Sequence, residues 1–470
     1  MAGAGLAGAA AVAGGAAAFR QEPARSAPVS GPERYATRPD IELPEITVRR
    51  TGATAGGALF LTPHRGTGQS DALILDGDGR PVWFQRSERL ITDLRVQTYR
   101  GEPVLTYWEG ERLEGGHGRG AGIVLDRSYR RIATVRTGNG VETDFHEFRL
   151  TGRGTALLIA YPKVTADLRA LGGARDGQMV DNRIQEVDVR TGRVLLDWSA
   201  RRHLALDESF VRAGEGTLDP FHVNSVEADG ETLLVSARNT HTVYSLDRRT
   251  GAVRWRLGGR RSDFAMGAAA SFAWQHDARR VAGGRLSLFD NHIANVGDGP
   301  SRGIVLDVDE ERRRASLAST FAVGSRFGQY MGNLQSLAGG NLLVGWGSTT
   351  GATEFAPDGT VVMELALGES ASYRAYRMEW EGRPATRPDV AAGPLDGHRI
   401  EVHASWNGAT GVAGWRFLSG AAEGSLATAA TVRRAGFETS AVIGRARCVA
   451  VEALGADGAV LARSAARAVA

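Results

Sequence analysis

Phe221-His222-Val223-Asn224-Ser225-Val226, returning as Leu233-Leu234-Val235-Ser236-Ala237-Arg238-Asn239, reads as a strand, a turn and a second strand. Side chains alternate along a strand, so His222 and Asn224 share a face. Arg238 and Asn239 stand where the returning strand ends. A histidine, two amides and an arginine are costly to gather on a β-scaffold unless they bind or transform an anion. The plan recurs. Phe145-His146-Glu147-Phe148 precedes Thr155–Tyr161, Trp274-Gln275-His276-Asp277 precedes Leu286–Asn291, and Gly332-Asn333-Leu334-Gln335 precedes Leu342–Trp346.

Working outward, apolar strands stand at 58–61, 103–107, 156–159, 232–235, 286–289 and 342–345. A second hairpin follows each, with an Asp/Gly or Thr-Gly turn, as in Asp76-Gly77-Asp78-Gly79 and Asp247-Arg248-Arg249-Thr250-Gly251. Two hairpins per unit at a spacing of about 50 residues are the mark of a β-propeller. The fold class expected is therefore all-β: a six-bladed β-propeller over residues 47–382. Beyond about 385 the pattern changes to short alternating strands such as Arg399–Trp406, with an Asp457-Gly458 hairpin signal. Residues 390–470 read as a small immunoglobulin- or fibronectin-like β-sandwich. The longest inserts, about 162–184, 199–220 and 258–273, fall in the histidine-bearing units, where they can form a rim or lid.

Residues 2–19 are Ala/Gly-rich and uncharged, and prolines mark the stretch from 20 to 46 as a linker. The first run has the character of a secretory h-region without its positive n-region, so export from the cytoplasm is expected. No other stretch approaches membrane-span length. With 23% charged and 42% hydrophobic residues, the composition is that of a globular protein. A net charge of +3 without a basic stripe argues against nucleic acid as a partner. Lys163 is the only lysine, so the basic count is almost wholly arginine. Cys448 is the sole cysteine, which excludes an internal disulfide and dithiol chemistry.

If the first strand of each unit faces the central channel, His146, His222, His276 and Asn333 converge from successive units. Independent structural histidines would not be expected to fall in phase. Zinc is the competing reading of three imidazoles. No His-x-His or His-Glu-x-x-His spacing supports it, and Arg238 would repel a dication, so neither a metal nor another cofactor is expected. His64, His117, His203, His241, His292, His398 and His403 lack the in-phase logic.

His222-Val223-Asn224-Ser225-Val226, Ser236-Ala237-Arg238-Asn239, Trp255-Arg256-Leu257-Gly258-Gly259, Gln275-His276-Asp277 and Leu288-Phe289-Asp290-Asn291 together resemble the arylsulfotransferase family. The resemblance covers roughly residues 50–380. It implies a six-bladed propeller that moves a sulfuryl group from an aryl sulfate to a phenolic acceptor. No nucleotide sulfate (PAPS) is used, and the transfer passes through a sulfohistidine. It further implies His276 as the nucleophile, with His222 and Asn224 holding sulfate oxygens and Arg238 neutralising them. His146 becomes the acid or base. Beside these, Asn239, Asn291 and Asn333 are read as substrate-binding amides. The chain differs from the best-known Gram-negative members in carrying its sandwich at the other end. The alternative reading is a secreted ligand-binding propeller, non-catalytic or quinoprotein-like, since Thr250-Gly251-Ala252-Val253-Arg254-Trp255 resembles a quinoprotein hairpin.

Overall fold

The computed structural model describes residues 27–28, 34–65, 69–292 and 299–469. The Ala2–Phe19 run lies outside the described residues. Apart from one-turn helices such as Ala200–His203, the regular structure is β.

Six antiparallel meanders follow one another. Sheet 2 is Leu90–Tyr99, Glu102–Arg112, Gly118–Leu125 and Arg131–Val135; sheet 3 is Phe148–Leu150, Thr155–Ala160, Arg183–Asp188 and Val194–Ser199. Sheet 4 is Val223–Asp229, Thr232–Ala237, Thr242–Asp247 and Val253–Gly258; sheet 5 is His276–Val281, Arg285–Asp290, Arg302–Asp309 and Arg314–Phe321. Sheet 6 is Asn333–Ser336, Leu342–Gly345, Ala352–Phe355 and Val361–Ala366. Sheet 1 is composite. Ala58–Arg65, Gln69–Leu75 and Pro81–Ser87 are joined on the inner side by Ala371–Met378, from the far end of the repeat. Thr47–Arg50, read from sequence as the start of the first unit, pairs instead with Val361–Ala366 on the outer edge of sheet 6.

The sequence explains these sheets locally. Turns between third and fourth strands are closed by an aspartate: Asp76 Oδ1 accepts the amides of Asp78 and Arg80 at 2.8 and 2.9 Å, and Asp247 Oδ1 accepts that of Thr250 at 2.8 Å. Gly79 and Gly251 supply the positive φ that such turns need. The near-continuous apolar second strands are buried on both faces. Leu157 and Ile159 pack toward sheet 4 while Leu158 packs toward sheet 2; Leu233 and Val235 face sheet 3 while Leu234 faces sheet 5. A period of two thus feeds two apolar layers at once. One such layer lies between every neighbouring pair, including sheet 6 with sheet 1, where Leu343 and Met363 meet Leu59 and Leu61. The sheets therefore run round a ring.

Charge fills the inner side of that ring. Glu147 is fully buried and takes Arg95 of sheet 2 at 2.7 Å and Arg279 of sheet 5 at 2.6 Å. Arg374 of sheet 1 stands 3.3 Å from Glu147 and also pairs with Asp93 at 2.9 Å and Asp277 at 3.1 Å. Burial pushes the Glu147 carboxyl up, but Arg279, Arg374 and Arg95 together hold it well below the usual carboxylate range.

The C-terminal residues form two further antiparallel sheets, Asp389–Pro394, Arg399–Ser405 and Glu438–Gly444 against Ala427–Arg433, Gly414–Gly420, Cys448–Leu454 and Val460–Arg463. Val402, Trp415, Phe417 and Val451 fill the space between them. This unit is fixed to sheet 1: Asn407 clamps both backbone polar groups of Phe84 at 2.9 and 3.1 Å, and Trp83 stacks on Tyr129, whose hydroxyl donates to the Gly408 carbonyl.

Glu147→Ala would leave three buried guanidinia with only Asp93 and Asp277 to share, an uncompensated buried charge that costs roughly 3–5 kcal/mol. Urea denaturation of this variant should show a midpoint well below wild type, whereas Glu111→Ala, which removes an exposed partner of Arg119, should leave the midpoint in place. Equal midpoints for Glu147→Ala and wild type would contradict the role given to this network.

Candidate functional site

Above the charge network lies a cavity of ≈ 590 Å³, lined by His146, His222, Arg238 and His276 together with Leu90, Phe145, Tyr330, Met331 and Tyr373. The ring brings together four residues that are up to 130 positions apart in the chain. The histidines come from the innermost strands, and Arg238 follows the end of the second strand of sheet 4. His276 opens its strand and pairs with Phe289; His222 stands one residue ahead of Val223, which pairs with Ala237; His146 lies two ahead of Phe148. His222, Trp274 and Met331 hold left-handed backbone conformations, at φ 54°, 56° and 65°. Such conformations cost on the order of 1–3 kcal/mol each and cluster where side chains must be aimed.

The three histidines differ in what holds their Nδ1. At His276 it lies 2.7 Å from Asn291 Oδ1 and 3.0 Å from the Trp274 carbonyl, both acceptors, so Nδ1 carries the proton. Nε2 keeps its lone pair, which accepts the Met331 amide at 3.3 Å. Burial, and then the Arg238 guanidinium, hold this imidazole well below its ordinary pKa, so it is neutral at neutral pH. His146 Nδ1 meets Asp144 Oδ1 at 2.5 Å, and the other oxygen of Asp144 accepts the Gly118 amide. His222 Nδ1 meets Asp219 Oδ2 at 2.6 Å. Burial and Arg238 also push His222 well below its ordinary range, against the pull of Asp219. The His146 and His222 rings stand nearly perpendicular with centroids 4.8 Å apart.

Arg238 lies 4.4 Å over the Trp274 ring and donates from Nε to Asn239 Oδ1 at 3.0 Å. Among the described residues it has no carboxylate within ion-pair distance. This half-buried guanidinium faces a cavity that two neutral imidazoles share with it.

The predicted amides stand behind this surface rather than on it. Asn224 donates to the Gln275 carbonyl at 2.7 Å, Asn239 to the Asp219 carbonyl at 2.7 Å, and Asn291 to the carbonyls of Gly328 and Met331. Asn333 is not brought to the cavity: both of its amide atoms bond the backbone of Ala375 and so tie sheet 6 to sheet 1. Sequence reading missed Asp144, Asp219, His117, Tyr161, Tyr373 and Arg374. Asp144 stands two residues before His146 and Asp219 three before His222, a spacing that could have drawn attention to both. Arg374 joins the site to the network below, donating to the carbonyls of His146 and Asn224 at 3.2 and 3.1 Å.

Two other chemistries deserve a structural answer. His117, Asp219 and His222 offer three metal-ligating groups within 4.8 Å of one another. Their 2.6 and 3.0 Å separations are those of hydrogen bonds, and 2.6 Å is shorter than the roughly 3.3 Å between tetrahedral zinc ligands. Gly299-Pro300-Ser301-Arg302-Gly303 has the Gly-x-Ser-x-Gly spacing that sequence reading passed over. Ser301 is fully buried and donates to the Asn291 and Gly328 carbonyls, so it presents no nucleophile.

A family model described as arylsulfotransferase (ASST) matches residues 95–368, more than half of the chain. No curated protein matches. Among solved structures, a protein of unknown function from Dyadobacter fermentans is 11% identical, with 85% of this chain and 99% of that one covered at a TM-score of 0.36. A catalytically inactive virginiamycin B lyase from Staphylococcus aureus with quinupristin is 7% identical, covering 76% and 96% at a TM-score of 0.35.

The hydrogen bonds around His276 predict ¹⁵N-histidine spectra with its proton on Nδ1 and no titration between pH 8 and pH 6. Because burial depresses this pKa, the unfolded chain binds a proton that the native site refuses, and folding stability falls as pH drops through about 6.5. Urea denaturation at pH 5.5 and 7.5 should show that loss diminished in His276→Asn; an unchanged loss would mean that His276 titrates normally.

Proposed function

For a chain that belongs to the arylsulfotransferase family, we propose a double displacement in which His276 carries the sulfuryl group between an aryl sulfate and a phenol. Family membership supports a sulfotransferase-type function in general; the donor, the intermediate and the residue roles are our reading. We take the ring of six sheets to be a six-bladed β-propeller over 47–382 and the C-terminal sheets to be an immunoglobulin-like sandwich. We place the protein outside the cytoplasm on the strength of the Ala2–Phe19 run.

One observation carries the reading. Arg238, which pairs with no carboxylate among the described residues, shares a cavity with an imidazole whose only unprotonated nitrogen is His276 Nε2. The steps balance. His146 enters the step as the imidazolium. Nε2 of His276 releases the Met331 amide and attacks sulfur, the S–O bond to the aryl oxygen breaks, and the leaving phenolate takes the proton from Nε2 of His146. Arg238 meets the charge on the equatorial oxygens. His276 then bears the sulfuryl group on Nε2. An incoming phenol gives its proton back to His146 as its oxygen attacks sulfur, and the N–S bond breaks. Asp144 suits His146 to both tasks, since a carboxylate on Nδ1 fixes the tautomer and steadies the imidazolium. Phe145, Tyr373, Tyr330 and Met331 give the cavity an apolar wall fit for an aryl ring.

The test is a stopped-flow assay with 4-nitrophenyl sulfate. Wild type should release one equivalent of nitrophenol in a burst, and added phenol should raise the steady rate. His276→Ala should give no burst. Arg238→Ala should slow it by about 10²–10³, the usual loss when an oxyanion partner is removed. A burst that survives in His276→Ala, or none in folded wild type, would overturn the proposal.

A further inference from the structure

Asp219 lies near the end of the 199–220 insert between sheets 3 and 4, and it gathers the anion-facing side of the cavity. Oδ1 accepts the His222 amide at 2.9 Å and Asn182 Nδ2 at 3.1 Å. Oδ2 meets His222 Nδ1 at 2.6 Å and His117 Nε2 at 3.0 Å. Its carbonyl takes Asn239 Nδ2 at 2.7 Å, and Asn239 in turn holds Arg238 Nε. One residue thereby orients both His222 and Arg238.

This placement creates a conflict that a bound anion would resolve. With Asp219 accepting from Nδ1, a neutral His222 presents a bare Nε2 lone pair to the cavity. A lone pair repels sulfate oxygens. A proton on Nε2 would turn the repulsion into a charge-assisted hydrogen bond, and the resulting imidazolium would lie between the Asp219 carboxylate and the anion. Resting on the sulfuryl-transfer reading, we propose that Asp219 makes anion binding proton-coupled, His222 Nε2 taking one proton from solvent as the sulfate oxyanion enters. No other bond forms or breaks. Asp219 acts through His222 and Asn239, as a positioning residue.

The charged and titratable groups around His222 allow this. Arg238 opposes the proton while the site is empty and is itself met by the arriving anion. His117 stacks on Tyr161 at 4.3 Å and shares Asp219, while Tyr161 donates to the Val223 carbonyl. Burial, with Asp144 and Asp219 nearby, keeps the Tyr161 phenol protonated. His146 is committed to Asp144 on the far side. His276 has only neutral acceptors at Nδ1, so it lacks the carboxylate that would steady a second cation.

Calorimetric titration with inorganic sulfate, in pairs of buffers of different ionisation enthalpy from pH 6 to 9, tests the coupling without any turnover. Wild type should take up about one proton per sulfate at the alkaline end, with affinity falling about tenfold per pH unit there, the signature of one linked proton. Asp219→Asn should bind at least tenfold more weakly at pH 7. His222→Gln offers a fixed amide donor; it should bind sulfate with no proton uptake and little pH dependence, and it decides the matter should Asp219→Asn fail to fold. Sulfate bound by wild type without proton uptake, no sulfate binding by wild type, or uptake that persists in His222→Gln would each overturn the proposal. The nitrophenol burst does not depend on free sulfate binding, so it judges the transfer reaction separately.

Discussion

A carboxylate with no access to water, Glu147, holds the ring together at its inner side. Removing an ion from water costs several kcal/mol even after relaxation, and only good geometry repays it. Here the repayment comes from three guanidinia on three sheets, Arg95, Arg279 and Arg374, with Asp93 and Asp277 balancing their charge. The network leaves little freedom in how the inner strands sit. Through the Arg374 bonds to the His146 and Asn224 carbonyls, it fixes the backbone on which the cavity residues stand.

The histidines above that floor are sorted by the charge of their partners. His146 and His222 lean on aspartates, which hold Nδ1 as the donor and set a carboxylate behind each ring. His276 leans on an amide oxygen and a carbonyl, which fix the tautomer without adding negative charge. A nucleophile must keep its lone pair at neutral pH, and an acid or an anion clamp must be able to give that state up. Three similar side chains at similar positions are thereby suited to different work.

Much of this was legible in the sequence because the repeat is physical. Every second strand feeds two apolar layers, so the six apolar runs are unmistakable, and the residues ahead of them, His146, His222 and His276, had to meet near the ring's inner side. Arg238 was legible for the same reason, at the end of such a strand. What the repeat does not encode was not legible. Asp144 and Asp219 stand in the connections ahead of their histidines, outside the strand repeat, and His117 stands in the turn after Glu102–Arg112; the completion of sheet 1 by Ala371–Met378 joins segments some 300 residues apart. The amides were over-read: Asn333 is polar and in phase, but its phase serves a clip to Ala375.

The central claim is that this cavity transfers a sulfuryl group by way of His276 Nε2. Tandem mass spectrometry of protein quenched during turnover of 4-nitrophenyl sulfate, under fragmentation that spares the labile N–S bond, addresses it most directly. The account predicts one sulfuryl group per chain, on the peptide containing His276 and on that residue, gone after a chase with phenol. Modification confined to another residue, or a phenol sulfate formed while the protein never carries the group, would contradict it.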